Sequence, residues 1–213
     1  WARTDANGDP LVTTYNYDPA TGEQLGINYS DHNTPDVTYT YNRTGQKETV
    51  TDAAGTYVFA YDAKGQLISE THPVGNTTMT IERKNDNLGR NTGYTLQNAD
   101  DQQLQNVTYG YDQAGRFDSV QWQNGDEADM HVADYDYVPN ARMIGSVTLD
   151  DKLVRTTHYE PHRNLIDRVE NRMNGDLVSQ YDYTNDADAK RVDVARSGSA
   201  FTVTDTLSYA YNA

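Results

Sequence analysis

Short runs in which apolar and polar residues alternate recur along the whole chain. Val37, Tyr39 and Tyr41 fall on one face of such a run, as do Tyr57, Phe59 and Tyr61. Val107, Tyr109 and Tyr111 repeat the arrangement, and Leu207, Tyr209 and Tyr211 repeat it again. A period of two is the signature of a β-strand, whose side chains point alternately to opposite faces. No helical period is sustained over ten or more residues. The clearest runs are followed by Asp or Asn and then Gly, and second apolar sets come after the turns: Leu25, Ile27 and Tyr29; Phe117, Val120 and Trp122; Met143, Val147 and Leu149; Leu165 and Val169. The pattern predicts about 16 short antiparallel strands joined as hairpins.

The runs are copies of one unit, Tyr-x-Tyr-Asp-x-x-Gly followed by a polar and an apolar residue. Clear copies place Tyr15, Tyr17 and Asp18 before Gly22; Tyr39, Tyr41 and Asn42 before Gly45; and Phe59, Tyr61 and Asp62 before Gly65. The fullest copy places Tyr109, Tyr111 and Asp112 before Gly115, Arg116 and Phe117. Weaker copies centre on Asn85-Asp86 with Gly89, Tyr135 and Tyr137 with Ala141-Arg142-Met143, Tyr159-Glu160 with Arg163, and Tyr181 and Tyr183 with Lys190-Arg191-Val192. A ninth copy opens at Tyr209 and Tyr211. The second aromatic positions are 17, 41, 61, 85, 111, 137, 159, 183 and 211, a mean step of about 24 residues. Fourteen of the 17 tyrosines occupy one of the two motif positions, so the rings belong to the repeat rather than to chance.

Each part of the unit has a physical reading. Tyr-x-Tyr puts two rings on one face of a strand. Asp or Asn opens a turn by accepting backbone N–H groups ahead of it, and Gly supplies a positive φ. Second turns are expected at Asp52–Gly55, Asn124-Gly125, Asp150-Asp151, Asn174-Gly175 and Ser197-Gly198. The six prolines lie at or beside expected turns. A lone hairpin cannot bury its aromatic face, so neighbouring units are expected to pack ring against ring in a long curved strip of sheet.

Composition sharpens this picture. Hydrophobic residues make up only 36% of the 213 residues, yet 10% are aromatic, which separates the chain from disordered acidic segments. Asp outnumbers Glu by 25 to 7, a bias toward turns over helices. A net charge of −15 opposes binding to nucleic acid or anionic lipid, and no apolar run is long enough for a membrane helix. No nucleic-acid partner and no membrane insertion are therefore expected. With no cysteine there is no disulfide framework and no thiolate site. The chain opens without Met at Trp1 and ends inside a ninth copy at Ala213. Both ends are read as cut from a longer protein, with residues 1–213 forming one repeat module.

Tyr109-Gly110-Tyr111-Asp112-Gln113-Ala114-Gly115-Arg116-Phe117 resembles a full copy of the YD repeat of the Rhs (rearrangement hot spot) family, and Tyr15–Leu25, Tyr39–Val50 and Phe59–Leu67 are close variants. The family includes bacterial Rhs toxins, the shell subunits of insecticidal Tc toxins and animal teneurins. The resemblance implies an all-β fold of tandem hairpins, part of a spiralling β-shell that encloses a C-terminal toxin or forms an adhesion scaffold. The family's self-cleavage motif has no proper match. Asp18-Pro19-Ala20-Thr21-Gly22 is superficially similar to it but sits inside an ordinary repeat.

Candidate chemistry is sparse. No nucleophile elbow, P-loop or dinucleotide fingerprint is present. His158, Glu160 and His162 crowd five residues and could ligate a metal, although Pro161 and the repeat register favour a decayed turn with Glu160 in the Asp position. His32, His72 and His131 read as loop or strand-surface residues. Asp5-Ala6-Asn7-Gly8-Asp9 is calcium-loop-like but departs from the EF-hand pattern at Pro10 and Asn16. The pairs Asp134/Asp136 and Asp186/Asp188 read as solvated faces or turns. Trp122 offers a ring for sugar stacking or for packing between repeats. Four glycosylation sequons, at Asn28, Asn42, Asn76 and Asn106, are at chance level for this composition.

The sequence thus predicts a non-enzymatic structural module without cofactor, belonging to a secreted or cell-surface protein. Its expected partner is the rest of its own polypeptide, including a C-terminal toxin domain. An extracellular adhesion or carbohydrate-binding module with a glycan or cell-surface partner is the alternative.

Overall fold

The structure is a computed structural model that describes Thr4, residues 8–31 and residues 33–211. His32, most of the loop from Asp5 to Asp9, and the termini at Trp1 and Ala213 lie outside the described residues. All regular structure among the described residues is β, in seventeen strands whose pairings are antiparallel hairpin ladders. The seventeenth strand, Asp205–Ser208, lies at the alternating run Leu207, Tyr209 and Tyr211 that opens the ninth copy, and it ends before the two tyrosines. The chain divides into two compact units, residues 1–106 with 124–126, and residues 107–123 with 127–213.

In the first unit the strands are β1 (Thr13–Tyr17), β2 (Gln24–Tyr29), β3 (Val37–Tyr41), β4 (Lys47–Asp52), β5 (Gly55–Tyr61), β6 (Leu67–Val74), β7 (Thr77–Asn85), β8 (Asn91–Asn98) and the start of β9 (Gln103–Tyr111). Each pairs with the next in sequence from β1 to β8. Exposure alternates along β3 and β5, with the tyrosine face covered and the threonine face open. On the open face, hydroxyls pair across strands: Thr40 with Thr49 at 2.7 Å, Thr51 with Thr56 at 2.9 Å and Thr71 with Thr80 at 2.9 Å.

The second unit continues with the end of β9, β10 (Phe117–Asn124), β11 (His131–Tyr137), β12 (Ile144–Leu149), β13 (Leu153–Tyr159), β14 (Ile166–Met173), β15 (Asp176–Asn185), β16 (Arg191–Ser197) and β17 (Asp205–Ser208). From β10 to β17 every strand again pairs with its successor.

The motif turns share one construction. The N–H of Asp62 donates to Gln66 O at 2.9 Å and that of Gly65 donates to Asp62 O at 3.0 Å, and the same bonds recur at Asn42/Gly45, Asp86/Gly89 and Asp112/Gly115. The Asp62 carboxylate caps the loop by accepting the N–H groups of Lys64 and Gln66. Such a three-residue loop ends in a left-handed residue, and Gly45, Gly65 and Gly115 hold φ of 78°, 80° and 75°. The return turns are tighter: Asp150 and Asp151 both have positive φ, as do Asn174 and Gly175. Pro73 lies near the end of β6 opposite Thr78, beside the turn at Gly75.

Just beyond most motif turns the ladder slips by one residue. Tyr41 pairs with Lys47 but Thr40 pairs with Thr49, which leaves Glu48 as an extra residue. Leu25, Ile68, Thr92, Gly145, Asp167 and Val192 are the corresponding extra residues in other repeats. The first of these bulges corrects the alternation expected for Leu25, Ile27 and Tyr29. Leu25 is bulged out and 42% exposed rather than sharing a face with Ile27 and Tyr29.

The interior is thin. Among the described residues the enclosed apolar side chains are Val107, Ala133, Val169 and Val194, and no large side chain is fully buried. Because turn geometry must then fix the strands more than core volume does, Gly115→Val is expected to destabilise the fold by about 1 kcal/mol or more through its forced positive φ. Chemical denaturation of the variant measures this; an unchanged midpoint would refute the turn assignment.

Candidate functional site

With so little enclosed core, the seam between consecutive hairpins is the part of the molecule where function and architecture coincide. The second tyrosine of a repeat reaches back across this seam. Tyr41 Oη donates to Gln24 O at 2.9 Å, and Tyr61 Oη to Lys47 O at 2.9 Å. In the second unit Tyr137 Oη donates to Phe117 O at 2.7 Å, Tyr159 Oη to Ile144 O at 3.0 Å and Tyr211 Oη to Arg191 O at 2.8 Å. In four of these five bonds the ladder pairings place the acceptor immediately before the extra residue of the preceding hairpin's bulge: Gln24 before Leu25, Lys47 before Glu48, Ile144 before Gly145, and Arg191 before Val192. A bulge disrupts its ladder locally, and a phenol from the next hairpin lands on the carbonyl beside it.

A second set of contacts links turn to turn. Gln46 Nε2 donates to Gly65 O at 2.8 Å, Arg116 Nη1 to Ala141 O at 2.6 Å and Arg163 Nη1 to Asp186 O at 2.6 Å. Arg116 also holds its own turn, with Nε 2.7 Å from Asp112 Oδ2, and its guanidinium lies 4.1 Å from the Tyr137 ring centroid. One side chain thereby touches its own cap, the next repeat's ring and the next repeat's turn. The rings themselves meet at steep angles: Phe117 packs on Tyr109 at 5.8 Å, Tyr111 at 6.1 Å and Tyr135 at 5.2 Å.

The motif residues fall as follows. Tyr39 and Tyr41 lie on β3, Phe59 and Tyr61 on β5, Tyr109 and Tyr111 on β9, and Tyr135 and Tyr137 on β11; all are half-buried. Tyr15 and Tyr17 on β1 are exposed, as are Tyr209 and Tyr211 beyond β17. Asp18 and Gly22 close a turn one residue longer, in which Asp18 Oδ1 accepts the N–H groups of Ala20 and Thr21.

One repeat is registered differently from the sequence reading. Its turn is closed by Asp186, whose N–H donates to Lys190 O at 2.8 Å and whose carboxylate caps Asp188 and Lys190. Tyr183 therefore takes the first aromatic position and Asn185 the second, while Tyr181 stands one step upstream, stacked on Tyr183 at 6.4 Å and packed on Phe201. Asn185 does the tyrosine's work: its Nδ2 donates to Ile166 O at 3.1 Å, beside the bulge residue Asp167. The Asp186-x-x-Ala189 spacing, with Ala189 at φ 63°, is the signal for this register, masked because Ala stands where the repeat carries Gly.

The other candidates disperse. Glu160 bonds Arg163 and Asn185, His158 lies 3.9 Å from Glu170 and His162 is exposed in the turn, so the three do not converge. Among the described residues no three His, Asp or Glu side chains are grouped for a metal. Asp134 lies in the ladder opposite Thr148, and Asp136 accepts from Ser146. Trp122 is half-buried and stacked on His131 at 5.3 Å. His131 Nδ1 lies 2.8 Å from Asp150 Oδ2, and that hydrogen bond raises the imidazole's pKa.

The turn caps are electrostatically tuned. The backbone N–H of Arg116, then its guanidinium, hold the Asp112 carboxyl below its ordinary value, and Arg90 does the same for Asp86. A depressed folded-state pKa contributes stability that is present above the unfolded value, about 4, and is lost as pH falls through the folded value.

Comparison with known proteins gives one family match: residues 41–78 match the RHS Repeat family. No curated protein matches the chain in sequence. Among solved structures, it is similar to the Tc holotoxin pore of Photorhabdus luminescens at 14% identity and TM-score 0.39, covering 92% of this chain and 12% of that one. It is also similar to TcdB2-TccC3 lacking its hypervariable C-terminal region, at 12% identity and TM-score 0.46, covering 97% and 15%. A porin-like protein from Bacteroides uniformis matches at 13% identity and TM-score 0.39, covering 85% of each chain. The chain thus spans a small part of the length of the two Tc structures.

Two outcomes are expected. Tyr61→Phe should cost about 0.5–1.5 kcal/mol through loss of the seam bond, whereas Tyr17→Phe, whose hydroxyl makes no hydrogen bond among the described residues, should be close to neutral; urea unfolding compares them. Thermal melts at pH 3 and pH 7 should show acid destabilisation that is shallower in Asp112→Asn, because Asn42 already caps an equivalent turn uncharged. Identical pH profiles would remove Asp112 from the account.

Proposed function

We propose that the chain is one continuous module of about eight YD repeats and serves as wall material: a structural, non-enzymatic segment of a β-shell in a larger secreted or cell-surface protein. In that protein the shell encloses or displays a C-terminal toxin domain. The observation that supports this reading most is the recurrence of one seam code, phenol to bulge carbonyl, in hairpins well beyond the matched RHS repeat. A seam that needs only a neighbour with the same turn and bulge can be extended indefinitely, which suits a wall and is not a catalytic arrangement. The motif residues act as architecture: tyrosines bind the seam, Asp and Asn cap the turns, and glycines permit them. The adhesion alternative gains nothing from Trp122, whose ring is engaged by His131.

The full product of the gene that encodes this chain provides the test. A protease site engineered into a segment outside the repeats is expected to survive in the native protein and to be cut once urea unfolds the repeats. Equal cutting in both states would contradict enclosure.

A further inference from the structure

The tripeptide Asn-Gly-Asp occurs three times, at Asn7, Asn124 and Asn174. Asn7 lies outside the described residues. The other two copies share the tripeptide and differ at the flanking residues, Gln123 and Glu127 against Met173 and Leu177, so a large difference in their chemistry comes from the fold. An asparagine followed by glycine is open to attack by the glycine's backbone nitrogen, because no side chain hinders the approach. The attack requires a free side-chain amide, an unengaged glycine N–H and room for the backbone to swing.

Asn124 meets none of these conditions. Its Oδ1 accepts from Gln105 Nε2 at 2.9 Å, and the Gly125 N–H donates to Leu104 O at 2.7 Å. Both residues are half-buried. Asn174 is the opposite case. It forms the tip of the β14–β15 hairpin with Gly175, and both residues are exposed. Its side chain and the Gly175 N–H make no hydrogen bond among the described residues, and nothing lies within 4 Å of the position a Cβ on Gly175 would occupy. The tip is held by the Asn174 N–H to Lys152 O at 2.8 Å and by Arg172 Nη1 to Gly175 O at 3.1 Å. Asn174 at φ 51° and Gly175 at φ 90° have the left-handed pair of a two-residue hairpin loop, which holds the tip at the exposed end of the ladder.

We infer that Asn174 is a site of spontaneous modification, a deamidation clock built into an otherwise stable hairpin. In the opened tip the Gly175 nitrogen attacks Asn174 Cγ. The new N–C bond closes a succinimide, the Cγ–Nδ2 bond breaks, and ammonia leaves with the proton from the Gly175 amide. Water then opens the ring at either carbonyl, giving aspartate or isoaspartate. Isoaspartate adds a backbone atom to a two-residue loop whose type is set by its length. Either product also adds a negative charge close in sequence to Asp176, in a chain already at −15.

The test is to age the folded chain at mildly alkaline pH and body temperature and follow the Asn124 and Asn174 peptides by mass spectrometry. Conversion at Asn174 is expected to run severalfold ahead of Asn124, and the two rates should converge in urea. Gln105→Ala should accelerate Asn124 and leave Asn174 unchanged. Equal or faster conversion at Asn124 in the folded chain, or an Asn174 site that stays intact while the unfolded chain converts, would overturn the inference. A rate difference that persists in urea would overturn it as well, since sequence rather than structure would then be the cause.

Discussion

With so few side chains enclosed, the hairpins of each unit have to hold together without a large core, and here that task falls on the bond between a tyrosine hydroxyl and a carbonyl beside a β-bulge. Hydrophobic burial is too dilute to do it: four small apolar side chains are enclosed among the described residues and no large one is. A hairpin alone is marginal in water. The motif turn therefore performs two jobs. It closes its own hairpin, and in four repeats the bulge that follows gives the next hairpin's phenol an acceptor. The ring brings apolar area to the seam while its hydroxyl makes a directional bond, a combination Phe cannot supply. This accounts for a chain with 17 tyrosines and only 3 phenylalanines.

The same logic explains the residue that follows the turn glycine. Gln46, Arg116 and, one position earlier, Arg163 each reach the turn of the next repeat. Arg does more than Gln there, because its planar guanidinium can pair with Asp112, lie on Tyr137 and donate to Ala141 at once. The turns become a row of linked caps along one margin of each unit. Charge is handled in the same place: Asp86 and Asp112 are fixed at caps where N–H groups and a guanidinium stabilise the ionised form.

Much of this is legible in the sequence. The hairpins, the glycine turns and the shared face of Tyr39 and Tyr41 follow from period-two alternation and turn chemistry, which are local. The bulges are not legible, because a one-residue slip leaves no compositional mark, and so strict alternation puts Leu25 on the wrong face. The Asp186 turn is hidden for a related reason: Ala189 adopts the left-handed conformation that the pattern reserves for Gly. The seam bonds are also out of reach, since Tyr137 Oη and Phe117 O are twenty residues apart and only three-dimensional register joins them.

The claim that phenol and bulge are one device is tested most directly by a double-mutant cycle. Tyr159→Phe removes the donor to Ile144 O, and deletion of Gly145 removes the bulge beside that carbonyl. Coupling of roughly 0.5–3 kcal/mol is expected, with Tyr159→Phe losing most of its effect once Gly145 is gone. Additive free energies would show that the hydroxyl and the bulge act independently and would contradict the account.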